Sequence, residues 1–150
     1  MIDKILLEKQ LYDISKYDAN NNPNKQSKKI LLVENDKTLK TVHGMFLESI
    51  KINFDLAATE EEALKLFKEN TYDLVLLNIE LPDTLGFEIS CNIRNDPKGQ
   101  NIAIIALSGS GSSIKQECLE AGINDIYSIP ISYNNLSNVI LTNLGIIAQE

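Results

Sequence analysis

The chain has 150 residues, of which 43% are hydrophobic, and its 14 basic and 21 acidic side chains give a formal net charge of −7. A chain of this size and hydrophobicity can bury the core of a single α/β domain. The acidic balance disfavours direct binding to nucleic acid or an anionic membrane, and no run approaches the ~20 apolar residues of a membrane-spanning helix.

Residues 1–18 are predicted to form a short helix outside the main domain. Their apolar side chains fall on about one half of a helical wheel; they are Ile2, Leu6, Leu7, Leu11 and Ile14. Residues 19–28 are polar, aperiodic and interrupted by Pro23, which is typical of a linker. The main domain is therefore expected over residues 29–149.

From residue 29 onward, short apolar runs alternate with amphipathic segments. The predicted strands are 30–33, 54–57, 73–78, 102–107 and 125–128. The predicted helices follow them, at 36–50, 59–67, 86–94, 113–121 and 132–147. Continuous apolar strands alternating with helices predict a doubly wound parallel sheet that is covered on both faces. Its functional crevice is expected at the carboxyl ends of the strands, where the winding reverses.

Local signals support several of these helices. Spacings of three and four predict the buried stripe of the first helix, which consists of Leu39, Val42, Phe46 and Ile50. His43 lies beside that stripe, and we expect a structural role for it. Thr59 and Glu62 have the spacing of a capping box, and Gly122 is expected to end the fourth helix. Cys91 and Cys118 fall in predicted helices without the spacing of a metal or redox motif, which favours reduced thiols in a cytoplasmic protein.

Five segments, in order and spacing, closely resemble response-regulator receiver domains. They are KKILLVEND, TEEEAL, YDLVLLNIELPDTLGFE, IIALSG and NDIYSIPI, and the resemblance covers about residues 28–148. It implies a flavodoxin-like α/β fold, a five-stranded parallel sheet of order 2-1-3-4-5 with helices on both faces. It also implies a role in two-component or phosphorelay signalling.

The resemblance assigns roles to positions that this chain has changed. The family's phosphoacceptor aspartate corresponds to Asn78, and an amide oxygen is a poor nucleophile that carries no charge for a metal. The family's two metal-binding acids correspond to Glu34 and Asn35. Asp36, one residue later, is either a third polar group of the acidic pocket or only a helix N-cap. The backbone carbonyl of Glu80 corresponds to a further metal ligand.

Other positions of the family's site also differ in this chain. Ser108 matches the hydroxyl that binds the phosphoryl group in the family. The conserved lysine corresponds to Ile129, and the switch aromatic corresponds to Ile126, with Tyr127 next to it. The acidic residue that usually precedes the glycine of the central motif corresponds to Leu85.

Two carboxylates and the lysine are lost together, which keeps the charge of the crevice near balance. The leading hypothesis is therefore a pseudo-receiver that cannot be phosphorylated and acts through protein–protein interaction. We expect no enzymatic activity, no cofactor and weak or absent Mg²⁺ binding. The expected partners are a histidine kinase, a phosphotransfer domain or another receiver or output protein, and a homodimer is left open.

Two alternatives remain at this stage. The chain could work in a phosphorelay through an atypical acceptor, Asp36 or Glu34. It could instead be a flavodoxin-like binder of a nucleotide or flavin that uses the serine- and glycine-rich loop 108–113. The acidic loop at residues 34–36 argues against the second alternative, because a flavin phosphate needs hydroxyls and free amides there.

Overall fold

The structure, a computed structural model, describes residues 27–81 and 86–147. The predicted N-terminal helix at 1–18 and most of the linker at 19–28 lie outside the described residues. Leu85 and the predicted end of the domain at residue 149 lie outside them as well. The description of the fold therefore concerns the main domain.

Five strands form one parallel sheet. They are β1 Lys29–Val33, β2 Asn53–Ala57, β3 Leu74–Asn78, β4 Ala103–Ser108 and β5 Asp125–Ser128. Their order is β2-β1-β3-β4-β5, so the predicted doubly wound order is confirmed. The central strand β3 is buried along its whole length, which explains why its sequence is apolar without alternation.

Within residues 27–81 and 86–147, five α-helices connect and flank the strands. They are α1 Lys37–Ser49, α2 Glu60–Glu69, α3 Gly86–Asn95, α4 Lys115–Glu120 and α5 Tyr133–Asn143. Two 3₁₀ turns, Pro97–Gly99 and Gly111–Ile114, were not predicted. Helix α4 is shorter than predicted because the 3₁₀ turn replaces its first residues, and no side chain caps its start. Helix α5 ends before residue 147, and Gly145 follows it with φ of 72°.

Each face of the sheet has its own apolar core. Helices α2, α3 and α4 cover the first face, where Val33, Val75, Leu77 and Ala106 are buried. Helices α1 and α5 cover the second face, where Leu32, Leu76, Ile105 and Leu107 are buried. Successive strand residues point to opposite faces, so a shift of one residue moves a side chain into the other core.

Side-chain caps start three of the helices. Asp36, Thr59 and Ser132 each accept a hydrogen bond from the N–H three residues later. The predicted capping box at Thr59 is present with one difference: the Glu62 carboxylate accepts from the N–H of Ala58, not from that of Thr59. Within 27–81 and 86–147, no helix is long and apolar enough to cross a bilayer.

The register of the sheet brings the ends of three strands together. Val33 lies opposite Leu77 in β3, and Asn78 lies opposite Leu107 in β4. The residue that follows β1, Glu34, therefore comes beside Asn78. The chain also reverses its winding here, because β2 and β3 lie on opposite sides of β1. In parallel α/β sheets, ligand crevices form at such a point.

Candidate functional site

Glu34 is a buried acid at the centre of the crevice, with 1% of its surface exposed. Its Oε2 accepts hydrogen bonds from the side-chain amide of Asn78, at 2.7 Å, and from the backbone N–H of Asp36, at 3.2 Å. Burial raises the pKa of the Glu34 carboxyl, and these two donors oppose that shift. The carboxyl group is thus held by donors from the chain itself.

Asn78 ends β3 and is 6% exposed. Its Nδ2 donates to Glu34, and its Oδ1 accepts from the backbone N–H of Glu80 at 2.9 Å. The reversed amide would set oxygen against a carboxylate and N–H against N–H, so these partners fix its orientation. An aspartate at this position would place a second carboxylate against Glu34.

His43 of α1 lies next to Glu34, and its predicted position beside the buried stripe of the helix is wrong. The side chain is not beside the buried stripe but within it, at 2% exposure, whereas Leu39 and Val42 are only half-buried. Residues 39, 43, 46 and 50 also have helical spacing, and this alternative stripe was the available signal.

The His43 ring contacts Glu34 without forming an ion pair. Its Nδ1 lies 3.8 Å from Glu34 Oε1 and has no hydrogen-bond partner. Burial lowers the pKa of His43 to about 4, so the ring is neutral near neutral pH. We therefore interpret the short separation as a contact between a neutral ring and a carboxyl group.

Asn35 and Asp36 both turn away from Asn78. The exposed Asn35 amide donates to the carbonyl of Ala58 at 3.3 Å. Asp36 Oδ1 accepts from the N–H of Leu39 at 2.9 Å and serves as the N-cap of α1. Of the three consecutive polar residues after β1, only Glu34 lies against Asn78, which corresponds to the phosphoacceptor.

The side chains around Asn78 do not suit Mg²⁺, which prefers several oxygen ligands in octahedral geometry. Glu34 supplies one carboxylate whose Oε2 already accepts two hydrogen bonds, and Asn78 turns its N–H toward that oxygen. In the described part of the chain, no cluster of three or more His, Cys, Asp or Glu residues could hold a metal ion. The metal ligands that the resemblance implies are thus poorly matched by the residues present.

Glu80 contributes its side chain to the crevice, whereas the sequence had suggested only its backbone carbonyl. Ser108 lies at the end of β4, is fully buried, and donates from Oγ to Glu80 Oε1 at 2.6 Å. Ser110 donates to the same oxygen from its N–H, at 3.2 Å, and from its hydroxyl, at 3.1 Å. The hydroxyl expected to meet a phosphoryl group therefore meets a carboxylate of the same chain.

The family's lysine and switch-aromatic positions lie in and just after β5, and the residues there pack in the cores or away from Asn78. Ile129 packs against the core under α1 and α5, and its N–H donates to the carbonyl of Ser108 at 3.1 Å. The peptide bond from Ile129 to Pro130 is cis. Ile126 packs on the opposite face of the sheet from Tyr127, whose hydroxyl donates to Asp125 Oδ2 at 2.9 Å. Tyr127 consequently does not occupy the place of Ile126.

Comparison with known proteins identifies the class to which this fold and site belong. The family model of the response regulator receiver domain matches residues 30–141. The chain belongs to this family. It is 38% identical over 112 residues to the aerobic respiration control sensor protein ArcB of Escherichia coli (strain K12). That alignment covers 74% of this chain and 14% of ArcB, so the chain corresponds to a small part of that protein.

Solved structures support the same assignment. The receiver domain of the sensor histidine kinase PA1611 from Pseudomonas aeruginosa, whose active-site cleft coordinates magnesium, is 28% identical with a TM-score of 0.73. The match covers 79% of this chain and 98% of that chain. A chain in the co-crystal structure of Saccharomyces cerevisiae Ypd1 with the Ssk1 receiver domain is 27% identical, with a TM-score of 0.72. It aligns over 83% of this chain and 93% of its own length.

Proposed function

We propose that this chain is a receiver-type signalling module that accepts no phosphoryl group at Asn78 and acts by binding other proteins. The observation that carries the proposal is the 2.7 Å hydrogen bond from Asn78 Nδ2 to Glu34 Oε2. In this bond the Asn78 amide is the hydrogen-bond donor. The ionised carboxylate of a phosphoacceptor aspartate has no proton to donate. A carboxamide is also a poor nucleophile toward phosphorus.

The surroundings of Asn78 support this proposal. The lysine-equivalent Ile129 packs in an apolar core and supplies no cation for phosphoryl oxygens. The donors around Glu34 suit a metal-free site, so we expect weak or absent binding of Mg²⁺. Because the Asn78 amide is a poor nucleophile and Ile129 supplies no cation, we expect no catalytic role for these residues.

The proposed partners are a histidine kinase, a phosphotransfer domain or another receiver or output protein. Relatives that support this include ArcB, a sensor protein, and two hybrid signal transduction histidine kinases of Dictyostelium discoideum. The yeast complex of a phosphotransfer protein with a receiver domain supports the same class of partner. A module of this kind would occupy such a partner without taking its phosphoryl group.

The contacts in the crevice disfavour both alternatives. Glu34 is buried and hydrogen-bonded, so a phosphodonor could not reach it without a rearrangement, and Asp36 is engaged as the cap of α1. A flavin or nucleotide phosphate at loop 108–113 would compete with the Glu80 carboxylate for the donors of Ser108 and Ser110.

The direct test is incubation of the full chain with acetyl phosphate and Mg²⁺, followed by intact-mass measurement. We expect no gain of a phosphoryl group. A parallel reaction with an active receiver domain shows that the donor works. A stoichiometric gain that disappears in Asn78→Ala would refute the proposal, and a gain that disappears only in Asp36→Ala would support the atypical acceptor.

A further inference from the structure

The loop after β4 is fastened to the side chain of Glu80. Three donors converge on one carboxylate oxygen, Oε1: the hydroxyl of Ser108 and both the N–H and the hydroxyl of Ser110. The Ser110 N–H also reaches Ser108 Oγ, at 2.9 Å. The two serines therefore form a small cradle of donors around a single anionic group.

The chemistry of this cradle is that of an anion-binding site. Hydroxyl and amide donors supply hydrogen bonds without a positive charge, and such bonds are stronger when the acceptor is ionised. Ser108 is fully buried, whereas Glu80 is exposed. The sheet fixes the Ser108 hydroxyl at the end of β4, whereas the two Ser110 donors belong to the exposed loop, and the Glu80 carboxylate reaches both serines from the solvent side.

The same loop passes close to the end of β5 on its other side. Gly111 has φ of 60°, and a Cβ at this residue would lie 2.9 Å from the hydroxyl oxygen of Ser128. The loop therefore passes close over the end of β5. Next to it, the N–H of Ile129 donates to the carbonyl of Ser108. The segment 108–114 therefore lies between Glu80, which bonds Ser108 and Ser110, and the end of β5.

We propose that the Glu80 carboxylate is a built-in anion that holds the loop 108–114 in one conformation without covalent modification. It fills the cradle permanently, so the surface that this loop forms is set in the unmodified protein. The meaning of this clamp for signalling rests on the proposed function, a module that works without phosphorylation. The contact itself does not depend on that function.

The test measures amide hydrogen exchange by NMR in the unmodified full chain. In Glu80→Ala, the Ser110 amide should exchange roughly tenfold faster or more, because it loses a charge-assisted partner and the loop opens locally. Glu80→Gln keeps the size and an acceptor oxygen but removes the charge, so its exchange rate should lie between those of Glu80→Ala and wild type. Glu48→Ala is the matched control, since Glu48 is an exposed acid in the last turn of α1.

Each outcome decides the proposal. It is overturned if Ser110 exchanges at the wild-type rate in Glu80→Ala, or if Glu48→Ala accelerates it equally. Wild-type protection in Glu80→Gln would overturn the claim that a charge is needed. If Glu80→Ala fails to fold by circular dichroism, Glu80→Gln and Ser110→Ala carry the same comparison. Phosphorylation of Asn78 with a protected Ser110 would refute the proposed function and leave the clamp intact.

Discussion

The hydrogen bond between Asn78 and Glu34 shows how one substitution can remain stable in a buried site. A carboxylate in the place of Asn78 would face Glu34 at a separation near 2.7 Å with little water to screen it. In active sites, like charges at such distances need a metal, a cation or a shared proton. The Asn78 amide removes that requirement, because it donates an N–H to Glu34 instead of adding a second negative charge. The same residue change thus removes the nucleophile and keeps the charge of the site balanced.

The buried ring of His43 should make folding sensitive to acid. Its pKa is about 4 in the folded protein, against an ordinary value of 6.5. Between these pH values the unfolded chain binds more protons, so stability is full above about pH 6.5 and falls as the pH drops toward 4. The loss attributable to this ring should approach about 3 kcal/mol.

Comparison of wild type with His43→Leu by urea denaturation at neutral pH and near pH 4.5 isolates that contribution. The variant should lose less stability on acidification, because it has no ring to protonate. The raised pKa of Glu34 acts in the opposite direction at the lower end of this range, and that carboxyl group is present in both proteins. Equal losses of stability in the two proteins would contradict the assignment of a neutral, buried ring.

At the scale of the elements, the start of α1 offers a test of the role of Asp36. As the N-cap, its carboxylate accepts from the N–H of Leu39. Asp36→Ala should lower the free energy of unfolding by about 1 kcal/mol, whereas Asp36→Asn should change it by only a few tenths, because asparagine caps equally well. Equilibrium denaturation distinguishes the two variants. Equal losses in both would mean that the charge, not the cap, is what stabilises this segment.

The elements were largely predictable from the sequence because their apolar patterns are strong. Buried parallel strands appear as uninterrupted apolar runs, and β5 has the predicted boundaries, 125–128. The 3₁₀ turn at Gly111–Ile114 was missed, since a run of serine and glycine has no apolar period. The turn lies beside Ser128 and follows the Ser110 that bonds Glu80, and both neighbours come from other parts of the sequence.

The candidate site was predictable only where a residue corresponds to a motif. Asn78 and Glu34 fall at the ends of adjacent strands, so sequence order and strand register bring them together. The roles of His43 and of the Glu80 carboxylate depend on side-chain packing between separate elements. The same dependence explains why Asn35 turns to Ala58 instead of Glu34. Sequence patterns predict which face of a helix or strand is buried. They do not predict which of several neighbouring polar groups a side chain will bond.

At the scale of the whole molecule, the charge-balance argument predicts that the acceptor cannot be restored alone. Asn78→Asp replaces the Nδ2 donor to Glu34 with a second carboxylate and should destabilise the domain by about 1–3 kcal/mol. Asn35→Asp is the matched control, because the same change there affects an exposed side chain whose amide reaches only Ala58. Mg²⁺ should recover part of the loss in Asn78→Asp. If urea denaturation gives Asn78→Asp the same free energy of unfolding as wild type, the charge-balance argument is contradicted.

Restoring the whole site should require three changes. Asn78→Asp with Asn35→Asp and Ile129→Lys returns the nucleophile, a second acid and the cation, so the triple variant should accept phosphoryl groups slowly from acetyl phosphate with Mg²⁺, measured by intact mass. If Asn78→Asp alone reacts as fast as the triple variant, only the nucleophile was missing. If the triple variant folds but stays unmodified, addition of Glu80→Ala tests whether the built-in carboxylate blocks the donors of Ser108. A reaction that appears only in the fourfold variant would show that the missing nucleophile and the filled cradle each prevent phosphorylation.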